Sequence, residues 1–179
     1  PIVNTTTTID PVSSSAYGTS ITFTARVANS PTGGTAPTGT VTFKDGGVSM
    51  TSCAAQPITA GVATCSISTL SVLASPHSIT AVYNPDATHS TSVSSAVSQA
   101  ITPKSLTVTG ITASNKQYDG NTTATLGGTA ALPAGGVITG DTASLTGTAV
   151  GSFATAAVGT GKTVTVLGLS LTGAQAGNY

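Results

Sequence analysis

The strongest constraint on this chain is an alternation of apolar and polar residues with a period of two. In residues 20–27, Ile21, Phe23, Ala25 and Val27 fall on one face of an extended strand, and Thr22, Thr24 and Arg26 fall on the other. Val41 and Phe43 alternate with Thr40, Thr42 and Lys44, and Ala63, Cys65 and Ile67 with Thr64 and Ser66. Ile79, Ala81 and Tyr83 alternate with Ser78, Thr80 and Val82. Successive strand side chains point to opposite faces, so each run has one face to bury. The abundance of Thr, Val and Ile reinforces this, because branched side chains suit a pleated surface. No window carries the three-and-four spacing of an amphipathic helix. Turn signals separate the runs at 31–34 (PTGG), 45–47 (DGG), 60–61 (AG) and 84–86 (NPD). With further runs at 4–9 and 91–101, about seven short strands fall within about 100 residues, the spacing of an antiparallel two-sheet sandwich.

A second set of runs follows Pro103. Leu106 and Val108 alternate with Thr107 and Thr109, and residues 123–126, 143–149 and 162–171 read similarly. In the last run the apolar phase moves from Val164 and Val166 to Leu167, Leu169 and Leu171. A one-residue shift turns side chains to the other face, which predicts a β-bulge near 166–168. The expected fold class is therefore all-β: two tandem small antiparallel β-sandwich domains, residues 1–102 and 103–179. The joint at 101–104 (ITPK) is short enough to restrict how the two swing. The chain opens at Pro1 with no initiator Met and no leader, the expectation for an excised fragment.

Charge narrows the function classes. Only 6% of residues are charged, against about 25% in a typical soluble domain. Five basic residues balance five aspartates, and there is no Glu and no Trp. Without a basic excess there is no electrostatic footprint for nucleic acid or an anionic membrane. No apolar run approaches the ~20 residues of a membrane-spanning helix. Low content of large apolar residues is a warning of disorder, but that warning normally comes with high net charge, and the periodicity argues for folding.

Residues 17–101 resemble the bacterial Ig-like repeat domains found in tandem in large surface proteins. The matching residues are Tyr17-Gly18 with 20–25 (SITFTA), then 37–43 (PTGTVTF) with Asp45-Gly46. They continue through 61–64 (GVAT), 77–81 (HSITA) with Tyr83, and Asp86-Ala87. Residues 104–179 resemble the YDG repeat, named for the triplet that stands here as Tyr118-Asp119-Gly120. Its flanking matches are 106–109 (LTVT), Lys116, Thr122-Thr123, Gly140-Asp141, 159–164 (GTGKTV), Gly173-Ala174 and 176–179 (AGNY). In that family the Gly-Asn-Tyr segment runs on into a further strand, so the second domain is expected to lack its last strand or to receive it from the next repeat. The resemblance implies an immunoglobulin-like first domain and a multi-repeat bacterial adhesin or filamentous-haemagglutinin-like protein.

Within that resemblance, a Cys pair at the places of Cys53 and Cys65, on strands either side of Gly61, is a recurrent variant. It implies a local disulfide, and the other reading is two small buried thiols. A disulfide would place the chain outside the reducing cytosol. A metal site lacks two further ligands. His77 and His89 read as turn and surface residues. The segment 159–163 (GTGKT) imitates a phosphate loop, but Thr155 stands where the upstream Gly belongs and a strand follows, not a helix. Asp119 and Asp141 read as turn formers that accept backbone N–H bonds, with Gly120 at positive φ and the Tyr118 ring packed and bonded through its hydroxyl. One sharper possibility is an internal amide cross-link between Lys116 or Lys162 and Asn178, promoted by Asp119 or Asp141. Its alternative is a solvated lysine or an ordinary Asp–Lys pair.

The expected function is a non-catalytic repeat or stalk segment of a bacterial cell-surface or secreted adhesin, with no enzyme activity, no cofactor, no catalytic residue and no metal. Its partners would be neighbouring repeats of the same chain and a host or surface ligand, with no nucleic acid and no membrane insertion. The second reading is an adhesive module binding a glycan, a protein or an ice surface through sandwich-end loops or a Thr-rich sheet face.

Overall fold

Ile21, Phe23, Ala25 and Val27 do share one buried face, as Val41 with Phe43 and Ile79 with Ala81 and Tyr83 also do. The computed structural model describes residues 1–179, and it is all-β, with only two short 3-10 turns. The chain divides into two compact units, Pro1–Lys104 with Asn178, and Ser105–Gly177 with Tyr179.

The first unit is a two-sheet sandwich. One sheet runs β1 (Thr5–Ile9), β3 (Ile21–Asn29), β7 (Val62–Ile67), all antiparallel. The other is centred on β4 (Gly39–Asp45) and β8 (His77–Pro85), flanked by β5 (Val48–Ser49), β6 (Gln56–Pro57), β9 (Ser92–Val93) and β10 (Val97–Gln99). A separate parallel pair joins β2 (Ser15–Ala16) to β11 (Ile101–Thr102). Phe23, Phe43, Val41, Ile79 and Tyr83 are fully buried between the main sheets, with the two Phe rings 6.3 Å apart. On β1 the inward positions are hydroxyls: Thr5 and Thr7 both bond Ser92 Oγ at 2.7 Å, so their burial leaves no polar group unpaired.

The run 91–101 is three short strands, not one. Ser94 turns inward, its N–H donating to Ala81 O and its Oγ accepting from Ala81 N, which ends the β9 pairing. Serine cannot be told from threonine as an outward residue by alternation alone, so the break was invisible in the pattern.

The second unit holds two smaller antiparallel sheets. One pairs β12 (Thr109–Ala113) with β14 (Leu126–Ala131), and the other runs β13 (Thr123–Ala124), β15 (Ser144–Phe153), β16 (Val164–Thr172). Both carry the same device. Between the Gly147–Leu169 and Val150–Leu167 pairs, two residues of β15 oppose one of β16, Gly168. Between Thr109–Ala131 and Ile111–Gly128, two residues of β14 oppose Gly110. At each bulge a glycine on either strand has positive φ, and an added Cβ would strike a carbonyl oxygen of the facing strand. Only glycine allows both the backbone angle and the close approach. The expected bulge is thus at Gly168, with the extra residue on the partner strand. Val164, Val166, Leu169 and Leu171 are half-buried, while Leu167 faces out at 66% exposure, so it does not belong to the inward set.

Candidate functional site

The YDG triplet sits on the loop between β12 and β13, and the GTGKT segment on the loop between β15 and β16. Together these loops line a cleft of about 480 Å³ at one end of the second unit. Lys116 Nζ donates to Asp119 Oδ1 at 2.8 Å, to Asn121 O at 2.9 Å and to Asn121 Oδ1 at 2.7 Å. Asp119 also accepts from Asn121 N at 3.1 Å and Asn121 Nδ2 at 2.8 Å. The Lys116 ammonium, followed by these amide donors, holds the Asp119 carboxyl below its ordinary range. Gly120 follows at φ +77, the angle a tight turn after Asp requires. The same ammonium lies 5.8 Å from the centroid of the Phe153 ring, within cation–π range.

Lys162 is held in an equivalent way on the opposite loop. Its Nζ donates to Thr155 O at 2.5 Å, to Thr155 Oγ1 at 3.0 Å and to Ala157 O. An ammonium has three donors, so both lysines are saturated by oxygens of their own loops. The structure brings Lys116 together with Asp119. It does not bring either lysine to Asn178, which is buried in the closing 3-10 turn Ala176–Asn178. Asp141 lies elsewhere in the unit and accepts the Tyr179 hydroxyl at 2.6 Å, whose oxygen in turn accepts from Ile138 N at 2.8 Å.

Tyr118 departs from expectation. Its ring is 68% exposed and not packed. The interior of the loop is taken up by the Lys116–Asp119–Asn121 network, which leaves the ring outside it.

In the first unit Cys53 and Cys65 form a disulfide, with Cα atoms 5.5 Å apart. Cys65 is on β7 as expected, but Cys53 closes the 3-10 turn Thr51–Cys53 and is not on a strand. The bridge therefore ties the connection leaving β5 to a strand of the opposite sheet.

Both histidines are buried, and neither is a surface residue. His77 Nδ1 lies 2.6 Å from Asp45 Oδ2 and its Nε2 lies 2.8 Å from Ser71 O. His89 Nδ1 lies 2.8 and 2.9 Å from the two Asp86 oxygens, and its Nε2 lies 3.1 Å from Thr35 O. The His89 ring thus faces a carboxylate on one side and a carbonyl on the other. Only the imidazolium offers a hydrogen to both. The Asp86 bond, foremost, raises His89 above its ordinary value against the opposing effect of burial. Asp86 also accepts from Thr38 N and Oγ1 and from Thr88 N and Oγ1, and the Thr38 and His89 bonds press its carboxyl far below the usual range. These two clamps sit at opposite ends of the β4–β8 pair, since Asp45 ends β4 and His77 begins β8, while Asp86 follows the end of β8 beside Gly39. The Asp86-x-Thr-His89 spacing was the readable signal for one of them. The Asp45–His77 pair is separated by 32 residues and left no local trace.

Family comparison now fits this geometry. Residues 7–102 match the bacterial Ig-like domain of group 3. The chain belongs to the bacterial Ig-like family. Residues 102–179 match the YDG domain, so the YDG domain follows the Ig-like domain directly. A search of curated proteins gave no match. In these terms the disulfide and both histidine clamps belong to the Ig-like domain, and the paired-glycine bulges and lysine-tied loops belong to the YDG domain. Domains of these two kinds are typically non-catalytic and occur in repeat-type, adhesin-like proteins.

Proposed function

We propose that this chain is a non-catalytic spacer, a stalk segment of a bacterial cell-surface or secreted adhesin that carries and presents other modules. One observation carries the reading: all five carboxylates are used internally. Asp10 pairs with Arg26, Asp45 with His77, Asp86 with His89, Asp119 with Lys116, and Asp141 with the Tyr179 hydroxyl. General acid–base chemistry needs a carboxylate or imidazole free to meet a substrate. Here such groups are loop and turn fasteners. The disulfide supports an oxidising compartment outside the cytosol, and the partners of a spacer are the neighbouring repeats of its own chain.

The test is a replacement in the protein that carries the segment. An unrelated pair of β-sandwich domains of equal length should restore surface display of the carried modules to the level of the native segment, and a single domain of half that length should not. Display that fails with the equal-length pair, or that is indifferent to the length of the replacement, would sink the spacer reading.

A further inference from the structure

We propose that the cleft between the 114–121 and 155–162 loops of the YDG domain binds a neutral saccharide, a role beyond spacing. At about 480 Å³ it falls in the ~300–1,000 Å³ range of small-molecule sites. Its lining combines three kinds of group. Tyr118 stands at the lip with its ring 68% exposed, an aromatic plane open to an apolar sugar face. Phe153 and the 81%-exposed Val158 add further apolar surface. Asn115 and Gln117 add amides with no partner inside the protein, each offering donors and an acceptor in one plane, the pattern that meets neighbouring hydroxyls.

Charge decides the class of ligand. The only cations lining the cleft are Lys116 and Lys162, and both have their three donors taken up by loop oxygens. Asp119 is bound to Lys116 and neutralised by it. A phosphate, sulfate or sialic acid would therefore find no free cation to pair with. A neutral polyhydroxyl ligand needs none. The expensive part of the site, two ordered loops, is already fixed by the lysines, so binding need not order them.

The experiment is a titration of the ¹⁵N-labelled two-domain chain followed by NMR, with cellotetraose, mannotriose and lactose as neutral probes and sialyllactose as the anionic control. At least one neutral probe should shift the amide signals of 115–118 and 158–161 saturably, and sialyllactose should not bind better than lactose. Tyr118→Ala should weaken that binding about tenfold. Tyr118→Phe should retain it, and because the ring is exposed both variants should keep the native spectrum elsewhere. Absence of saturable shifts with all three neutral probes overturns the proposal. So does binding of sialyllactose alone, or undiminished affinity in Tyr118→Ala. None of these results bears on the spacer reading, which the replacement experiment tests separately.

Discussion

The Ig-like and YDG domains read almost alike in sequence, yet they are held together differently. Of the seventeen buried hydrophobic residues, sixteen lie in the Ig-like domain and one, Ala124, in the YDG domain. The YDG domain instead half-buries Val164, Val166, Leu169 and Leu126 around a cleft of about 500 Å³. The difference lies in which side chains occupy the inward positions. The Ig-like strands place Phe, Tyr and Ile there, and these reach across to the opposite sheet. The YDG strands interleave Gly127, Ala130, Ala149 and Gly151 with Ile111, Leu126, Leu145, Leu169 and Leu171 on their inward faces, and the larger side chains stay only half-buried. A two-sheet pattern specifies strands, but the volume of the inward residues decides whether a dry core forms. Where that volume is small, the chain relies on backbone devices such as paired-glycine bulges, and on ammonium groups that gather loop oxygens.

The sharpest break of this comparison is core truncation. Phe43→Ala should cost about 3–5 kcal/mol in the Ig-like domain, whereas Val166→Ala in the YDG domain should cost roughly 1 kcal/mol. Denaturant unfolding read domain by domain through hydrogen exchange checks this, and equal losses would mean that the YDG domain has a core after all. Next in size is the disulfide. Replacing both Cys53 and Cys65 by Ala should remove about 3 kcal/mol from the Ig-like domain and leave YDG protection unchanged. Gly168→Ala makes the converse test. It needs a left-handed angle and drives a Cβ into the Thr148 carbonyl oxygen, so about 1–3 kcal/mol should be lost from the YDG domain alone.

The smallest effect is a pH dependence of the Ig-like domain that has an alkaline as well as an acid limb, whereas the lowered Asp119 gives the YDG domain an acid limb. His89 is raised in the folded state, so its contribution is complete below the ordinary histidine value of about 6.5 and is lost as pH rises through the folded value. Asp86 is lowered, so its contribution is complete above the ordinary carboxylate value of about 3.9 and fades as pH falls below it. The groups facing His89 are Asp86, Thr88 and the Thr35 carbonyl, of which only Asp86 titrates, and the Tyr83 hydroxyl beside Asp86 is raised above its ordinary value. The melting temperature of the Ig-like domain should therefore be highest between about pH 4 and 6.5. In His89→Gln the fall on the alkaline side should shrink. An unaltered alkaline limb in that variant would count against the imidazolium clamp.

How much of this was legible follows from which signals are local. The alternation of Ile21, Phe23, Ala25 and Val27 with threonines is local, and it gave strand and face correctly. The pairing of Cys53 with Cys65 came from resemblance, and the turn that carries Cys53 did not show in the pattern. The two glycine bulges had a sequence trace that alternation overlooks: Leu126-Gly-Gly-Thr-Ala130 and Leu145-Thr-Gly-Thr-Ala149 are near copies, each ending in the two residues that oppose a single glycine. What stayed hidden was long-range and polar. Whether His77 finds Asp45, or whether Tyr118 turns in or out, depends on how loops close at the sandwich ends, and period-two reasoning says nothing of loop interiors.

One small feature of the Ig-like domain governs how it would respond to load. Its early strand β2 and its final strand β11 are parallel neighbours, joined through Ser15 N to Ala100 O at 3.1 Å and Tyr17 N to Thr102 O at 2.9 Å. Once β1 has been drawn off β3, tension pulls β2 from its leading end and β11 from its trailing end, in opposite directions along a shared axis. The bonds between them lie across that axis and must rupture together, in shear, instead of unzipping one at a time. A single-molecule pull on the two ends should show an abrupt force peak, and Tyr17→Pro, which deletes the donor to Thr102 O, should lower it. The geometry makes a two-residue ladder the fuse of the whole domain.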